Sequence, residues 1–178
     1  SIYPKIMGPQ SQAIKSLKSQ KINMLHLVPK KPFWETDEMS PNMYTDQLAG
    51  MILSQRQASS PEKVDSLTVW LRGPIAERLD MMDQNEAIAS VIQSIEDLRP
   101  SAKGQLEVAA YHSWFLNPFS KGDWAYWGPG QIKEFGREIS KPHYRLHFCG
   151  EHTAIANRGM EGALESGERA FFEILDLG

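Results

Sequence analysis

Residues 148–170, FCGEHTAIANRGMEGALESGERA, place Gly159, Gly162, Ala163, Ser166, Gly167 and Ala170 one turn after another in an otherwise helix-forming segment. A glycine inside a helix costs roughly 1 kcal/mol relative to alanine. Something must therefore come close enough to this backbone to exclude bulk. The pattern predicts a helix over 159–175, preceded by a loop and by a short buried strand at 145–149. Residues 159, 163, 166, 167 and 170 are expected along one face, with Leu164, Phe171, Ile174 and Leu175 as apolar anchors. A helix N-terminus carries unpaired N–H groups and partial positive charge, so it suits a negative group. Two readings stay open on the pattern alone: a helix packed tightly on a sheet, or a helix start that holds a ligand.

The rest of the chain narrows the function classes. Its net charge is −3, and Lys30-Lys31 is its densest basic pair, so no basic footprint points to nucleic acid or an anionic membrane. No apolar run approaches the ~20 residues of a membrane span. Cys149 is the single cysteine, so no disulfide can form within the chain and a reducing, cytoplasmic setting is expected. The start, SIYPKIMGP, has no basic-then-apolar leader and reads as the middle of a longer polypeptide. His147, Glu151 and His152 give H-x-x-x-E-H, one residue off an inverted zinc-protease pattern, but on a strand running into a loop rather than on one helical face. His26, His112 and His143 show no ligand spacing, no G-x-S-x-G is present, and Cys149 is expected as an inert thiol inside its apolar strand.

Coarse periodicity predicts an α+β fold, a mixed sheet with flanking helices followed by a C-terminal strand–loop–helix. Strands are expected at 22–28, 67–71 and 106–112, and helices at 9–18, 75–82 and 85–98. In the last of these Ala87, Ile88, Val91, Ile92, Ile95 and Leu98 form one apolar stripe, closed by Arg99-Pro100. Residues 31–42 and 114–130 read as loops, the second rich in Gly, Pro and aromatics. A composition shift between 104 and 113 divides the chain into 1–112 and 113–178.

With these residues in view, FCGEHT followed by RGMEGALESGERA resembles the C-terminal flavin-binding motif of the flavin-containing amine oxidases. Pro32-Phe33-Trp34, Trp70-Leu71-Arg72-Gly73 and WFLNPFSKGDWAYWGPG at 114–130 are similar to further segments of that family, and the resemblance is weakest over 41–63. It implies that 1–112 is part of the substrate domain and 113–178 the end of the FAD-binding domain. It implies that Glu151 lies against the ribityl or pyrophosphate part of FAD, and that the backbone of Gly159, Met160 and Glu161 faces the pyrimidine edge of the flavin. Negative charge develops there on reduction, and a helix start stabilises it. Trp114 would lie beside the flavin ring and Trp124 would be one aromatic wall of the substrate cage. The substrate implied is a small-molecule amine or amino acid, and with Gly159 leaving the cage half built a different or larger substrate is expected rather than a simple primary amine.

Several departures from the family pattern shape the expectation. The family's lysine, ten residues before the Trp of the PFW-like segment, is Met24 here, and Lys21 is out of register to replace it. The catalytic residue is therefore unassigned. The segment that carries a flavin-linking cysteine in monoamine oxidases is Ser120-Lys121-Gly122-Asp123, so FAD would be noncovalent. Gly159 stands where many members carry a second cage aromatic. No G-x-G-x-x-G follows a strand, so the N-terminal dinucleotide-binding half would be a missing partner and the FAD site incomplete. The leading expectation is a fragment of an FAD-dependent oxidase that is inactive alone. The alternative is a noncatalytic scaffold or partner subunit that keeps the substrate fold. Exposure of Trp114, Trp124, Tyr126 and Trp127 is expected to favour a homo-oligomer.

Overall fold

The computed structural model describes residues 2–176. In chain order the elements are α1 (Gly8–Ser16), β1 (Lys18–Ser19), β2 (Ile22–Pro29), α2 (Phe33–Thr36), β3 (Met43–Tyr44), β4 (Met51–Gln57), β5 (Ser60–Arg72), α3 (Pro74–Leu79) and α4 (Gln84–Leu98). There follow β6 (Leu106–Ser113), β7 (Ala125–Tyr126), α5 (Gln131–Phe135) and α6 (Gly159–Leu175). Two compact units result. One runs over residues 21–123, and the other joins residues 2–20 to 124–176.

The first unit is a five-stranded sheet in the order β3-β4-β5-β2-β6. Every pairing in it is antiparallel, which corrects the expected mixed sheet. The reason is topological. The long connection through α3 and α4 carries the chain from β5 past β2 to β6. Two strands that run the same way are thus separated by one that runs against both. Leu25 and Leu27 of β2 and Leu67, Val69 and Leu71 of β5 form the core with Ala87, Val91 and Ile95 of α4, all buried. Removing such side chains from water is worth about 1.5–3 kcal/mol each. Asp83 caps α4 by accepting from the N–H groups of Asn85 (2.8 Å) and Glu86 (3.4 Å). Leu98, expected in the stripe, is exposed because the helix ends there.

The β4–β5 hairpin is the main element the sequence pattern did not announce. Its distal part, QRQASSPEKVD, is solvated on both faces and its register shifts twice near Arg56, so no period-two apolar signal marks it. The boundary expected at 112/113 lies inside this unit's continuous backbone bonding. The N–H of Trp114 bonds the carbonyl of Ile22 (3.1 Å), and that of Gly122 bonds the carbonyl of Trp114 (2.9 Å), so 113–123 stays with the sheet.

In the second unit β1 and β7 form a two-stranded ladder, Lys18 opposite Tyr126 and Ser19 opposite Ala125. Ala13, Phe135 and Ile139 make a small core against which Leu17 and Trp127 pack. Trp127 therefore belongs to this core, whereas Tyr126 beside it is exposed. Residues 145–149 are not a strand, and Cys149 is exposed, which corrects two expectations. RLHFC has strand-like alternation, but a strand exists only with a ladder partner, and no described strand pairs with it.

In the sheet unit, buried Arg99 fastens the end of α4 to the loop after α2. Its Nε donates to Asp37 Oδ2 (2.9 Å), a second nitrogen donates to Asp37 Oδ1, and a third to the Ser40 carbonyl (2.7 Å). The ring of Phe33 lies under the guanidinium at 4.9 Å. The Arg99 bond, joined by the Ser101 hydroxyl, lowers the Asp37 carboxyl from 3.8 to about 2 against the opposing effect of burial. A carboxyl lowered in the folded state contributes stability above its unfolded value and loses it as pH falls through its folded value. Stability from this pair should thus be complete above pH 3.8 and fade towards about pH 2. Arg99→Ala should cost about 2–4 kcal/mol at neutral pH in urea unfolding, because it strands a partly buried carboxylate. The same variant should show a shallower acid limb below pH 4 than the native chain, and parallel limbs would refute the assignment.

Candidate functional site

Met24 sits in the middle of β2, opposite Trp70 of β5 and His112 of β6. Its thioether is engaged, since Trp114 Nε1 donates to Met24 Sδ at 3.2 Å. His112 meets the Trp114 indole edge-on, with ring centroids 4.5 Å apart and planes at 75°. The loop beyond is closed on itself, with the Ser120 hydroxyl donating to the Trp114 carbonyl (2.9 Å). Trp114 is therefore held from its backbone, its ring nitrogen and its ring edge, and it still exposes 39% of its surface. Lys21, the displaced lysine of the sequence comparison, pairs with Glu77 (2.6 Å) and lies over the Phe115 ring. It serves the start of β2.

The other site residues lie in the second unit. Gly150, at φ +128, turns the chain into a short 3-10 turn, Glu151–Thr153, that packs on α6. Glu151 Oε1 accepts the N–H of Ala125 (2.6 Å), which ties β7 and so the position of Trp124. Glu151 Oε2 is buried with no partner among the described residues. Arg158 donates to the carbonyl of the same Ala125 (3.2 Å). Gly159 opens α6 at φ +73 with open space where a Cβ would stand, and no side chain caps the helix start. Met160 and Glu161 follow in that first turn, both exposed.

The small residues of α6 divide into two stripes. Gly162, Ser166 and Ala170, four apart, are buried. A Cβ on Gly162 would stand 2.3 Å from the Asn157 carbonyl oxygen, so this glycine lets the 154–157 loop lie on the helix. Ser166 Oγ accepts from the N–H of Gly150 (2.8 Å) and donates to the Ala163 carbonyl (2.9 Å). Gly159, Ala163 and Gly167 form the neighbouring stripe, where a Cβ on Gly159 or Gly167 would meet nothing within 4 Å. The anchors expected from the sequence, Leu164, Phe171, Ile174 and Leu175, are each more than half exposed, as is Met160. Bulk is excluded here mainly by the chain's own loop.

Polar residues that the sequence reading passed over do much of this fastening. Glu165 accepts from the N–H of Ile155 (2.9 Å) and from those of Ala156 and Asn157, and these bonds lower its pKa. Arg169 donates to the carbonyls of Phe148 (2.7 Å) and Ser140 (3.4 Å) and to Glu173. Burial raises the Glu173 carboxyl, but bonds from His147 (2.9 Å) and Arg169 outweigh it and lower the pKa overall. The available signal was spacing: 162, 166, 169 and 173 recur at helical intervals and share the buried side.

The family model described as flavin containing amine oxidoreductase matches residues 2–174. The chain belongs to this family. It is 28% identical over 183 aligned residues to the flavin-containing amine oxidase A of Equus caballus, covering 97% of this chain and 34% of that protein. A putative L-amino-acid oxidase of Bacillus subtilis is 40% identical over 62 residues, 35% of this chain and 13% of that protein. Among solved structures, a double mutant of putrescine oxidase superposes with a TM-score of 0.82 at 19% identity, over 99% of this chain and 39% of that one. Cyclohexylamine oxidase from Brevibacterium oxydans gives 0.80 at 18% identity, over 97% and 39%. The antiparallel sheet with its helices is thus the family's fold, and the chain spans about a third of the length of the relatives it matches.

The two stripes of α6 make opposite predictions. Gly162→Ala should destabilise the chain by about 1–3 kcal/mol, because the methyl group must displace the 154–157 backbone. Gly167→Ala adds a methyl group in open space and should stabilise by about 0.5–1 kcal/mol. Thermal unfolding of both variants checks this, and equal shifts would mean that α6 does not lie on its own loop as described.

Proposed function

We propose that the chain is the C-terminal part of an FAD-dependent oxidase of amines or amino acids, with the sheet unit, 21–123, from its substrate domain and the unit that joins 2–20 to 124–176 from its FAD-binding domain. The observation that carries the reading is the buried, partnerless Oε2 of Glu151 beside an α6 that starts without a side-chain cap, in a chain of this family. A carboxylate oxygen without a donor is costly to bury, and a hydroxyl of a bound ligand would satisfy it. The open space at Gly159 and the first N–H groups of α6 fit the electron-rich edge of a flavin. When bound, FAD supplies a hydride acceptor for the carbon next to a substrate nitrogen, and the imine product is then hydrolysed.

This chain's own residues bind and orient. Glu151 accepts from the cofactor's sugar-like portion, and the backbone of Gly159, Met160 and Glu161 faces the flavin's pyrimidine edge. Trp114, held by Met24 and His112, presents an indole beside the ring system, and Trp124 walls the substrate. Ser120-Lys121-Gly122-Asp123 offers no thiol, so attachment is noncovalent. The remaining FAD contacts come from an N-terminal half outside this chain, whose docking would also cover the apolar side of α6. A noncatalytic scaffold is the second reading, favoured by Met24: its thioether accepts from Trp114 and carries no titratable group where the family has a lysine.

The test uses the polypeptide as translated in its native reading frame. Bound flavin should be released on heat denaturation, and its absorbance should bleach anaerobically with an amine or amino acid from a panel. Glu151→Gln should weaken FAD binding about tenfold or more, as expected for loss of a charged hydrogen-bond acceptor. Flavin that no amine or amino acid bleaches would leave the scaffold reading standing. The 178-residue chain alone should bind FAD weakly, and a large rise in its melting temperature with FAD would contradict the incomplete site.

A further inference from the structure

A cavity of about 550 Å³ lies within the second unit, between the end of α5 and the loop that leads into α6. Ile132, Gly136 and Arg137 line it from α5 and the turn that follows. His152, Ile155 and Arg158 line it from the loop, and Trp127 adds its indole. The two rings are held in place. Gly150 stands at φ +128, and a Cβ there would lie 2.6 Å from His152 Cε1, so the bare backbone gives the imidazole its room. Trp127 packs against the small core of Ala13, Phe135 and Ile139.

The charges on its wall are of one sign. Arg137 and Arg158 are both lining residues, and no Asp or Glu is. Of the acids adjoining these segments, Glu138 pairs with Lys141 (2.6 Å), Glu151 accepts the N–H of Ala125, and Glu165 accepts from the N–H groups of 155–157. Arg137 makes no hydrogen bond or ion pair among the described residues, and Arg158 has one bond, to the Ala125 carbonyl (3.2 Å). A guanidinium offers its N–H donors in a planar fork, so most of the donors here are uncommitted and open to solvent. A cleft lined by one sign of charge concentrates counter-ions. The remaining wall is apolar and wet, since Ile132 and Ile155 expose 63% and 86% of their surface. The complementary molecule carries a carboxylate that fits the guanidinium fork and a flat apolar body that fits two rings and two isoleucines.

We propose that this cavity binds a small aromatic carboxylate, with the carboxylate held by Arg137 and Arg158 and the ring laid against Trp127, His152 and Ile155. All of these residues belong to the second unit, whereas Met24 and Trp114 belong to the sheet unit, and the site needs no flavin. A bound carboxylate would fasten the end of α5 to the loop ahead of Gly159.

The polypeptide as translated in its native reading frame, with FAD in excess, should show one binding event when titrated with 2-naphthoate at neutral pH by calorimetry. 2-Naphthylmethanol, which lacks the charge, should not reproduce it, and inorganic phosphate at equal concentration, which lacks the ring, should not displace it. Arg137→Gln should weaken binding about tenfold or more, as expected for loss of a charged hydrogen bond. Ile155→Ser should weaken it by a smaller factor, and supplies a second variant at an exposed position should Arg137→Gln fail to fold by circular dichroism. Trp114→Phe, in the sheet unit, should leave binding unchanged, which separates this proposal from the oxidase reading. No heat from the native chain, equal heat from the alcohol, displacement by phosphate, indifference to both Arg137 and Ile155, or loss of binding in Trp114→Phe would each overturn the proposal.

Discussion

Strand β2 has to serve two chemistries at adjacent residues, and the sheet unit is arranged around that. Leu25 and Leu27 on one face are sealed by α4 and by β5's Leu67 and Leu71, so the strand cannot slip by one residue without turning its apolar set to the wrong side. With the register locked, Asn23 must face the helices and Met24 must face away. Asn23 then reaches α3 and β6 through its amide, and Met24 receives the indole N–H of Trp114. A core of ordinary aliphatic residues, with Tyr111 packed against it, thereby sets the facing of both residues.

The contrast between the two units follows from where their apolar side chains go. The sheet unit buries a continuous cluster from β2, β4, β5 and α4. The unit with α6 buries little beyond Ala13, Phe135 and Ile139 and relies on directed bonds: Glu165 on three backbone N–H groups, Arg169 on two carbonyls, Ser166 on Gly150, Glu151 on Ala125. Hydrogen bonds return only about 0.5–1.5 kcal/mol net each, against 1.5–3 for a buried aliphatic side chain. Of the two units, the one bearing the candidate flavin contacts has the thinner apolar support.

What the sequence disclosed depended on whether the deciding partner was local. α4 was legible because its apolar stripe and its terminating Arg99-Pro100 lie within one segment. α6 was found at both ends for the same reason, and Glu151 and Gly159 stood out because glycine and acid sit at fixed places in a short motif. The face that α6 buries was misjudged, since small residues occur on two sides and only the 154–157 loop decides between them. The strand expected at 145–149 failed because strand character is completed by a neighbour that periodicity cannot supply. Met24 was read as the loss of a lysine, whereas its bond to Trp114, some 90 residues away, gives it a positive role that no local pattern carries.

The exposed side of α6 bears on the oxidase reading through energy rather than resemblance. Met160, Leu164, Phe171, Ile174 and Leu175 run along one side of the helix, and all are more than half in water. Gly167 lies on that same side with nothing near it, although an alanine there would make a better helix. Apolar bulk flanking a bare backbone position is economical only where another surface comes within van der Waals reach of the helix axis. The buried side is already occupied by the chain's own loop, so the approach must come from the other side. The helix thus keeps one side on its own loop and leaves on the other an apolar strip with room for close approach at Gly167.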